Sequence, residues 1–496
     1  MLNQLSAFEL IEGIGDKKYS SVEVAEAFVE QVEKRDTEVN AFLRFDPSYV
    51  LDQAKAFDQK HSSNTAVGSL SGIPVAVKDV ICVKGQVTSC ASKMLEHFVS
   101  PYDATLIEKV KRADGILLGT TNMDEFAMGS SNENSAFSKT KNPWDTDRVP
   151  GGSSGGAAAC VAAGMAPLSF GSDTGGSVRQ PAAFCGVTGL KPTYGRISRY
   201  GLVAFASSLD QIGILAGDAR DVALLLNEST GHDPKDSTSS PRDPADYMAS
   251  LDGDVAGLKI GIPKEYLGEG LDSEIAESVR QARQVLENLG VEFVEVSLPM
   301  TSYGVATYYL VASCEASGNL ARYDGAHYGF RTEKNVDAAE NRLLEMYRQT
   351  RSEGFGAEVK RRIMLGTYAL SSGYYDAYYL KALKTRRLIK DELNAAFKQV
   401  DLILGPTTPA PAFKLGEKKK DPLSMYLGDI YTVVANLAGI PAISFPSGFT
   451  KSGLPIGLQL QGPSFSEELI LRTTCSFQKN TDWHTRKPAM VTGASK

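Results

Sequence analysis

Histidine, cysteine and clustered positive charge are all in short supply in this chain of 496 residues. Its five histidines (His61, His97, His232, His327 and His484) form no HxxxH or HxH pair and no Cys/His metal spacing. They read as structural or surface groups, and no metal centre is expected. The six cysteines, at 82, 90, 160, 185, 314 and 475, include no CxxC pair, and the opening Met-Leu-Asn-Gln-Leu-Ser has no basic region leading into an apolar one. Both features favour a reducing, cytoplasmic compartment. No run approaches about 18 consecutive apolar residues, so no membrane span is expected. A formal charge of −7 argues against a general polyanion-binding surface, which needs clustered Lys and Arg. The one short basic run, Lys418 to Lys420, reads as a solvated loop. The phosphate-cradling pattern GxxxxGK[ST] is missing too.

What is present is enough apolar sequence, 42%, to bury a large core. Strand and helix signals alternate. Ser20 or Ser21 caps a helix from Val22 to Arg35, Gly72 to Asp79 reads as a short buried strand ending in charge, Asp103 caps a helix through Ala113, and Gly115 to Gly119 is a strand. Another helical turn starts at Asn122. Asp218 caps Ala219 to Glu228, Asp272 caps a helix to Leu289, and strands return at 258–262, 401–405, 442–445 and 454–460, with a last helix from Glu467 to Phe477. This predicts an α/β fold, a single domain over 1–496 with a mixed central β-sheet flanked by helices on both faces. The Ser-, Asp- and Pro-rich segment near 232–255 reads as an insertion loop, and 301–399 as a helical, tyrosine-rich region whose rings belong mostly in a core or an interface.

Two glycine-flanked serine clusters stand out: Pro150-Gly-Gly-Ser-Ser-Gly-Gly156 and Gly171-Ser-Asp-Thr-Gly-Gly-Ser177. Glycine lets the backbone approach a ligand and its N–H groups converge on an anion, so Ser153 and Ser177 are the first candidates for chemistry. Gly152-Ser-Ser154-Gly-Gly156 formally fits the GxSxG nucleophile elbow, but that turn needs a strand before it, and Asn142 to Pro150 is polar with two prolines. No histidine lies between His97 and His232 to complete a Ser-His-Asp triad in this part of the chain. Lys78 is unusually placed at the end of an apolar strand, because burying an ammonium is costly. It either pairs with Asp79, snorkels to solvent, or is held neutral.

Gly-Ile-Pro-Val-Ala-Val-Lys-Asp at 72–79, Pro-Gly-Gly-Ser-Ser-Gly-Gly at 150–156 and Gly-Ser-Asp-Thr-Gly-Gly-Ser-Val-Arg-Gln-Pro-Ala-Ala-Phe-Cys-Gly at 171–186, in this order, resemble the amidase signature family over nearly the whole chain. The resemblance implies Ser177 as acyl-forming nucleophile, Ser153 as a bridging serine with a cis peptide bond, and Lys78 as terminal base. The main-chain N–H groups of Thr174, Gly175, Gly176 and Ser177 would form the oxyanion hole, each donor contributing roughly 3 kcal/mol. Asp173 and Arg179 read as scaffolding for the turn. Val80 departs from the family pattern, where Asn is expected.

Within the family, Asn122 to Ser131, Glu315 to Gly325, Gly354 to Ile363 and Asp429-Ile-Tyr-Thr with Asn436-Leu-Ala-Gly resemble the glutaminase branch that serves tRNA-dependent amidotransferases. That implies glutamine as substrate, gripped by one of Tyr308/Tyr309, one of Arg361/Arg362, and Asp429, with Tyr309 and Arg362 favoured. It also implies no cofactor in this chain. ATP, Mg²⁺ and most contacts to misacylated tRNA would belong to a B partner, with a small C partner stabilising the assembly. The rival expectations are a stand-alone amidase acting on another amide and a catalytically silent assembly component.

Overall fold

A computed structural model describes residues 1–63, 65–334 and 339–493. Eleven strands form one sheet: β1 (Phe42–Phe45), β2 (Pro74–Lys78), β3 (Ile116–Thr121), β4 (Leu168–Asp173), β5 (Thr188–Lys191), β6 (Gln211–Ala216), β7 (Lys259–Pro263), β8 (Glu292–Val296), β9 (Leu402–Pro406), β10 (Ala442–Phe449) and β11 (Pro455–Gln461). Their spatial order is β1-β3-β2-β4-β6-β5-β10-β11-β9-β7-β8. The pairs β3/β2 and β2/β4 are parallel, as are β9/β7 and β7/β8, and the six remaining pairs are antiparallel. The expected mixed sheet is therefore observed. Strands β6 and β7, on either side of the 232–255 loop, share it.

Successive strand side chains point to opposite faces, and this alternation divides the core. Val75, Val77 and Leu117 join one apolar cluster, while Ala76, Ile116 and Leu118 join another. The helix Ala219–Ser229 covers the first face with Val222, Leu225 and Leu226, and the helix Gly155–Ala162 covers the second with Ala157, Ala158 and Val161. Both faces thus carry helices, as expected.

Local chemistry sets the helix starts. Ser20 caps Ser21–Val39 in a capping box with Glu23, burying Val24, Phe28 and Val32, and Asp218 and Asp272 cap Ala219–Ser229 and Ser273–Asn288. Asp103 is a correction. The helix begins later, at Thr105, with Ala104 at its cap, and the Asp103 carboxylate instead accepts from the Lys84 N–H and pairs with Lys111. The turn expected from Asn122 is a short 3₁₀ segment, Glu125–Ala127, in which Phe126 has φ 49°.

Residues 335–338 of the tyrosine-rich region lie outside the described residues. The rest carries the helices Gly304–Asn319, Arg342–Gly354, Ala357–Leu370 and Lys381–Ala396. Tyr308 and Tyr309 are buried, but Tyr368, Tyr374, Tyr375 and Tyr378 are exposed, so of the expected places, core or interface, the core is excluded for those four. All six cysteines are buried and unbridged, and among the described residues no helix is long and apolar enough to cross a membrane.

The ring of Phe445, on β10, is fully buried and meets Phe477 edge-on at 5.1 Å. Phe445→Ala is expected to lower stability by about 3–5 kcal/mol, read as a fall in the urea midpoint with little change in slope.

Candidate active site

Strands β2 and β4 run parallel side by side, so their carboxyl ends, Lys78 and Ser172 to Asp173, share one edge of the sheet. Such edges are where open α/β sheets place ligands. The two serine clusters meet there because one precedes the helix Gly155–Ala162 and the other follows the next strand. No strand precedes Gly152. The chain from 142 to 149 makes only isolated bridges, so the nucleophile-elbow geometry is not formed.

Lys78 is fully buried, and its Nζ lies 2.7 Å from Ser153 Oγ, 2.9 Å from Ser154 Oγ and 2.9 Å from Ser172 Oγ. It neither snorkels nor pairs with Asp79. The Asp79 carboxylate takes the Arg44 guanidinium, the Ser89 hydroxyl and the Ala91 N–H instead. Adjacent residues on a strand face opposite sides, so an alternating backbone separates the lysine from its neighbour's charge. Val80, where the resemblance leads to an expectation of Asn, is buried in the core beside them.

Burial of the ammonium lowers the Lys78 pKa to about 7, against the opposing pull of Asp124, Asp173 and Asp210. At neutral pH the amine therefore spends much of its time uncharged, with two N–H bonds and one lone pair. Ser154 donates its hydroxyl hydrogen to the Ser172 carbonyl at 3.1 Å, so it only accepts from Lys78. The lone pair is left to face Ser153 or Ser172. Ser153, joined to Gly152 by a cis peptide bond, is the nearest of the three hydroxyls.

Ser177 sits beside this group. Its carbonyl accepts from the Ser154 N–H at 3.1 Å, and its own hydroxyl makes no hydrogen bond among the described residues. The bridge from Ser153 to Ser177 is not closed as a hydrogen bond in this structure, though the two serine turns are in contact. A second buried lysine, Lys191, is also lowered to about 7 by burial, but it faces only the carbonyls of Pro192 and Ile440. Carbonyls have no proton to give, so Lys191 can act only as a donor.

The turn carrying Ser177 is fixed by Asp173 and Arg179, both wholly buried, with Nε to Oδ2 at 3.1 Å and Nη2 to Oδ1 at 3.1 Å. Burial pushes the Asp173 carboxyl up most strongly, but the charge and hydrogen bonds of Arg179, with Lys191 and Asn436, together outweigh it and the pKa falls to about 2. Asp173 Oδ1 also accepts the Gly176 N–H at 2.8 Å. This withdraws Gly176 from the expected oxyanion donors, because a carboxylate at the start of the same turn claims its hydrogen. The N–H groups of Thr174, Gly175 and Ser177 make no hydrogen bond among the described residues. Gly176 has φ +132°, and a Cβ there would lie 2.3 Å from Thr432 Oγ1, so only glycine fits.

Thr432 Oγ1 donates to the Gly175 carbonyl at 2.6 Å and also reaches the carbonyl of Asp429. Through it the serine turn is joined to Asp429, whose Oδ2 accepts from Tyr309 OH at 3.0 Å and from Ser130 Oγ at 2.9 Å. Arg362, 2% exposed, places its guanidinium 4.8 Å from the Tyr309 ring centre. Of the paired candidates, Arg361 is half-exposed, and Tyr308 turns its ring against Gly175 rather than toward Asp429. Burial raises the Asp429 carboxyl to about 6, opposed by Ser130, Tyr309 and Arg362. Sequence reasoning missed Ser154 and Ser172 around Lys78, which carried no signal beyond their motif. It also missed Glu358, which is legible in retrospect as a carboxylate four residues before Arg362 on one helix.

The family model described as Amidase matches residues 23–471. The chain belongs to the amidase family. Among curated amidases, it is 55% identical over 489 residues to the A subunit of the glutamyl-tRNA(Gln) amidotransferase of Coxiella burnetii, covering 99% of this chain and 100% of that one. It is 56% identical over 475 residues to the protein of the same name from Halalkalibacterium halodurans, covering 96% and 97%. Among solved structures, the glutamyl-tRNA(Gln) amidotransferase A subunit from Thermotoga maritima superposes with a TM-score of 0.81 at 42% identity, covering 98% of each chain.

A serine-directed sulfonyl fluoride, which needs no bound substrate, is expected to label Ser177 of this amidase at a rate that rises with pH through about 7, because below that value Lys78 is an ammonium with no lone pair to accept a proton. Lys78→Met should slow labelling by about 10²–10⁴-fold and abolish the rise. Mass spectrometry of the labelled peptide across about pH 5 to 9 checks both.

Proposed function

We propose that this chain is the glutamine-hydrolysing component of a glutamyl-tRNA(Gln) amidotransferase, with Ser177 as nucleophile, Ser153 as proton bridge and Lys78 as base. The observation that carries this reading is a wholly buried lysine, its pKa lowered by burial to about 7, 2.7 Å from the Ser153 hydroxyl, in a chain that matches A subunits of that enzyme over 99% of its length. Ser177 Oγ attacks the side-chain carboxamide carbon of glutamine while its proton passes through Ser153 to Lys78. The tetrahedral oxyanion is met by the N–H groups of Thr174, Gly175 and Ser177. Collapse returns the proton through Ser153 to the departing nitrogen, releasing ammonia and leaving a glutamyl ester on Ser177. Water, activated by the same relay, then frees glutamate.

Arg362 holds the α-carboxylate in this reading and Asp429, with Tyr309, the α-ammonium. An incoming ammonium favours the ionised form of Asp429, whose burial otherwise opposes it. The chain itself uses no cofactor. The ammonia goes to a B partner that consumes ATP with Mg²⁺ to activate the misacylated glutamyl-tRNA, and a small C partner stabilises the assembly, which works in the cytoplasm. Full-length likeness to proteins named as A subunits supports a multi-component enzyme, since a protein so named has partners.

The reading is tested in the reconstituted complex. Ser177→Ala is expected to lower glutamine hydrolysis at least ~10³-fold and to stop glutamine-dependent formation of Gln-tRNA, while ammonium chloride still supports that formation at close to the parent rate. Hydrolysis that survives the substitution would sink the assignment. Parent enzyme that splits other amides but not glutamine would sink the substrate.

A further inference from the structure

Beside the proposed amino-acid pocket lies a closed set of side chains that the relay does not use. Glu358 is one helical turn before Arg362, and its Oε1 accepts from Arg362 Nε at 2.8 Å. The same oxygen accepts from Tyr426 OH at 2.8 Å, and Oε2 takes the Arg361 guanidinium. Tyr426 in turn lies flat on Tyr309, with ring centres 3.9 Å apart and planes 26° from parallel. The Arg362 cation therefore sits among three rings, 4.8 Å from Tyr309, 5.5 Å from Phe205 and 5.6 Å from Tyr426.

Two observations set Arg362 apart within this group. Arg362 Nη1 is buried and has no hydrogen-bond partner among the described residues. A buried guanidinium N–H left unpaired is costly, and an anion is the group that would relieve it. Glu358 is not that anion for Nη1, because it engages the Nε edge of the fork. Second, a cavity of about 160 Å³ is lined by Glu358, Arg361, Arg362 and Tyr426 but by none of Tyr309, Asp429, Ser153 or Ser177. Tyr426 borders that cavity and stacks on Tyr309, so its ring stands between the two.

We infer that Glu358 is the positioning residue of the amino-acid clamp: through one carboxylate oxygen it locks Arg362 and Tyr426 together, turns Arg362 Nη1 toward the substrate α-carboxylate, and sets the preference for amides that carry that group. The inference deepens the glutaminase reading and rests on it. Without Glu358, nothing in this set holds the Nε edge, and the neighbouring Arg361 loses the carboxylate it shares with Arg362. Tyr426 would keep its stacking on Tyr309 but lose its anchor.

The test compares two substrates in the assembled complex: glutamine, and 4-aminobutanamide, which keeps the amide and the amine but lacks the α-carboxylate. Parent enzyme should favour glutamine strongly. Glu358→Ala should cut kcat/KM for glutamine by about 10- to 100-fold, mainly through KM, and leave 4-aminobutanamide within about twofold. Tyr426→Phe, which keeps the ring and removes the hydroxyl, should move the same ratio in the same direction by a few-fold, and it serves where Glu358→Ala fails to assemble. A parallel fall for both substrates, or an unchanged ratio in both variants, overturns the role of Glu358. Parent enzyme without any preference for glutamine overturns the glutaminase reading itself.

Discussion

The buried ion pair between Arg179 and Asp173 is the constraint on which the reaction centre depends. Arg179 spends its donors on Asp173, on the Thr432 carbonyl at 3.0 Å, on Asn436 Oδ1 at 2.7 Å and on Gln459 Oε1 at 3.0 Å. Those partners lie at the end of β4, in the 432–436 segment and on β11, so one guanidinium ties three separate parts of the chain. Desolvating two charges costs about what their attraction returns, and such a pair is weak support for stability. Its use here is registry. It fixes the distance between the turn that carries Ser177 and the segment that carries Asp429, and neither position is set by local sequence.

The same centre holds a second charge under the opposite condition. Asp173 has a cation in contact and stays ionised, whereas Lys78 has carboxylates only at a distance and hydroxyls in contact. Hydroxyls satisfy hydrogen bonds without stabilising an ammonium as a carboxylate would, so burial wins and the amine approaches neutrality. Moving Asp79 away to Arg44 is therefore what a base at position 78 would require. Lys191 shows that a lowered pKa alone does not mark one: with the same burial and a similar value, it meets only acceptors.

How much of this could be read from the chain follows from what each signal encodes. β2, β3, β9, β10 and β11 were legible because they are apolar runs bounded by turn residues. β4, β5 and β6 were not, although every residue in them is buried. β4 and β5 are interrupted by Gly, Ser and Thr, and β6 is broken by Gly213. A Cβ would lie 2.8 Å from Ser154 Oγ at Gly171, 2.6 Å from Ala182 Cβ at Gly189 and 2.5 Å from the Leu190 carbonyl oxygen at Gly213, and close approach demands glycine there. The strand leading to Ser177 thus hides inside its own motif. Caps at Ser20, Asp218 and Asp272 were legible as side chain and backbone in one short stretch. Asp103 was misread because its competing partners, the Lys84 N–H far back in the chain and the Lys111 ammonium at the other end of the same helix, lie outside the first turn that a cap signal covers. The loss of Gly176 as a donor has a different origin: the carboxylate that takes its N–H, Asp173, lies inside the motif, but motif reading counts N–H groups and not the acceptor beside them.

The aromatic surroundings of Arg362 explain why its proposed pocket can be selective. A guanidinium among Tyr309, Tyr426 and Phe205 is shielded from water, and the rings supply cation–π attraction to its faces without using its N–H groups. Lysine could not serve, because its rounder, strongly hydrated charge has no flat face to stack. With the faces covered by rings and the Nε edge held by Glu358, Nη1 is the direction left for a ligand. A site built to hydrogen-bond one group discriminates most strongly against molecules that lack it, because they leave the buried donor unpaired. In the proposed pocket the cost of an orphaned Arg362 N–H would then be the source of preference for an α-carboxylate.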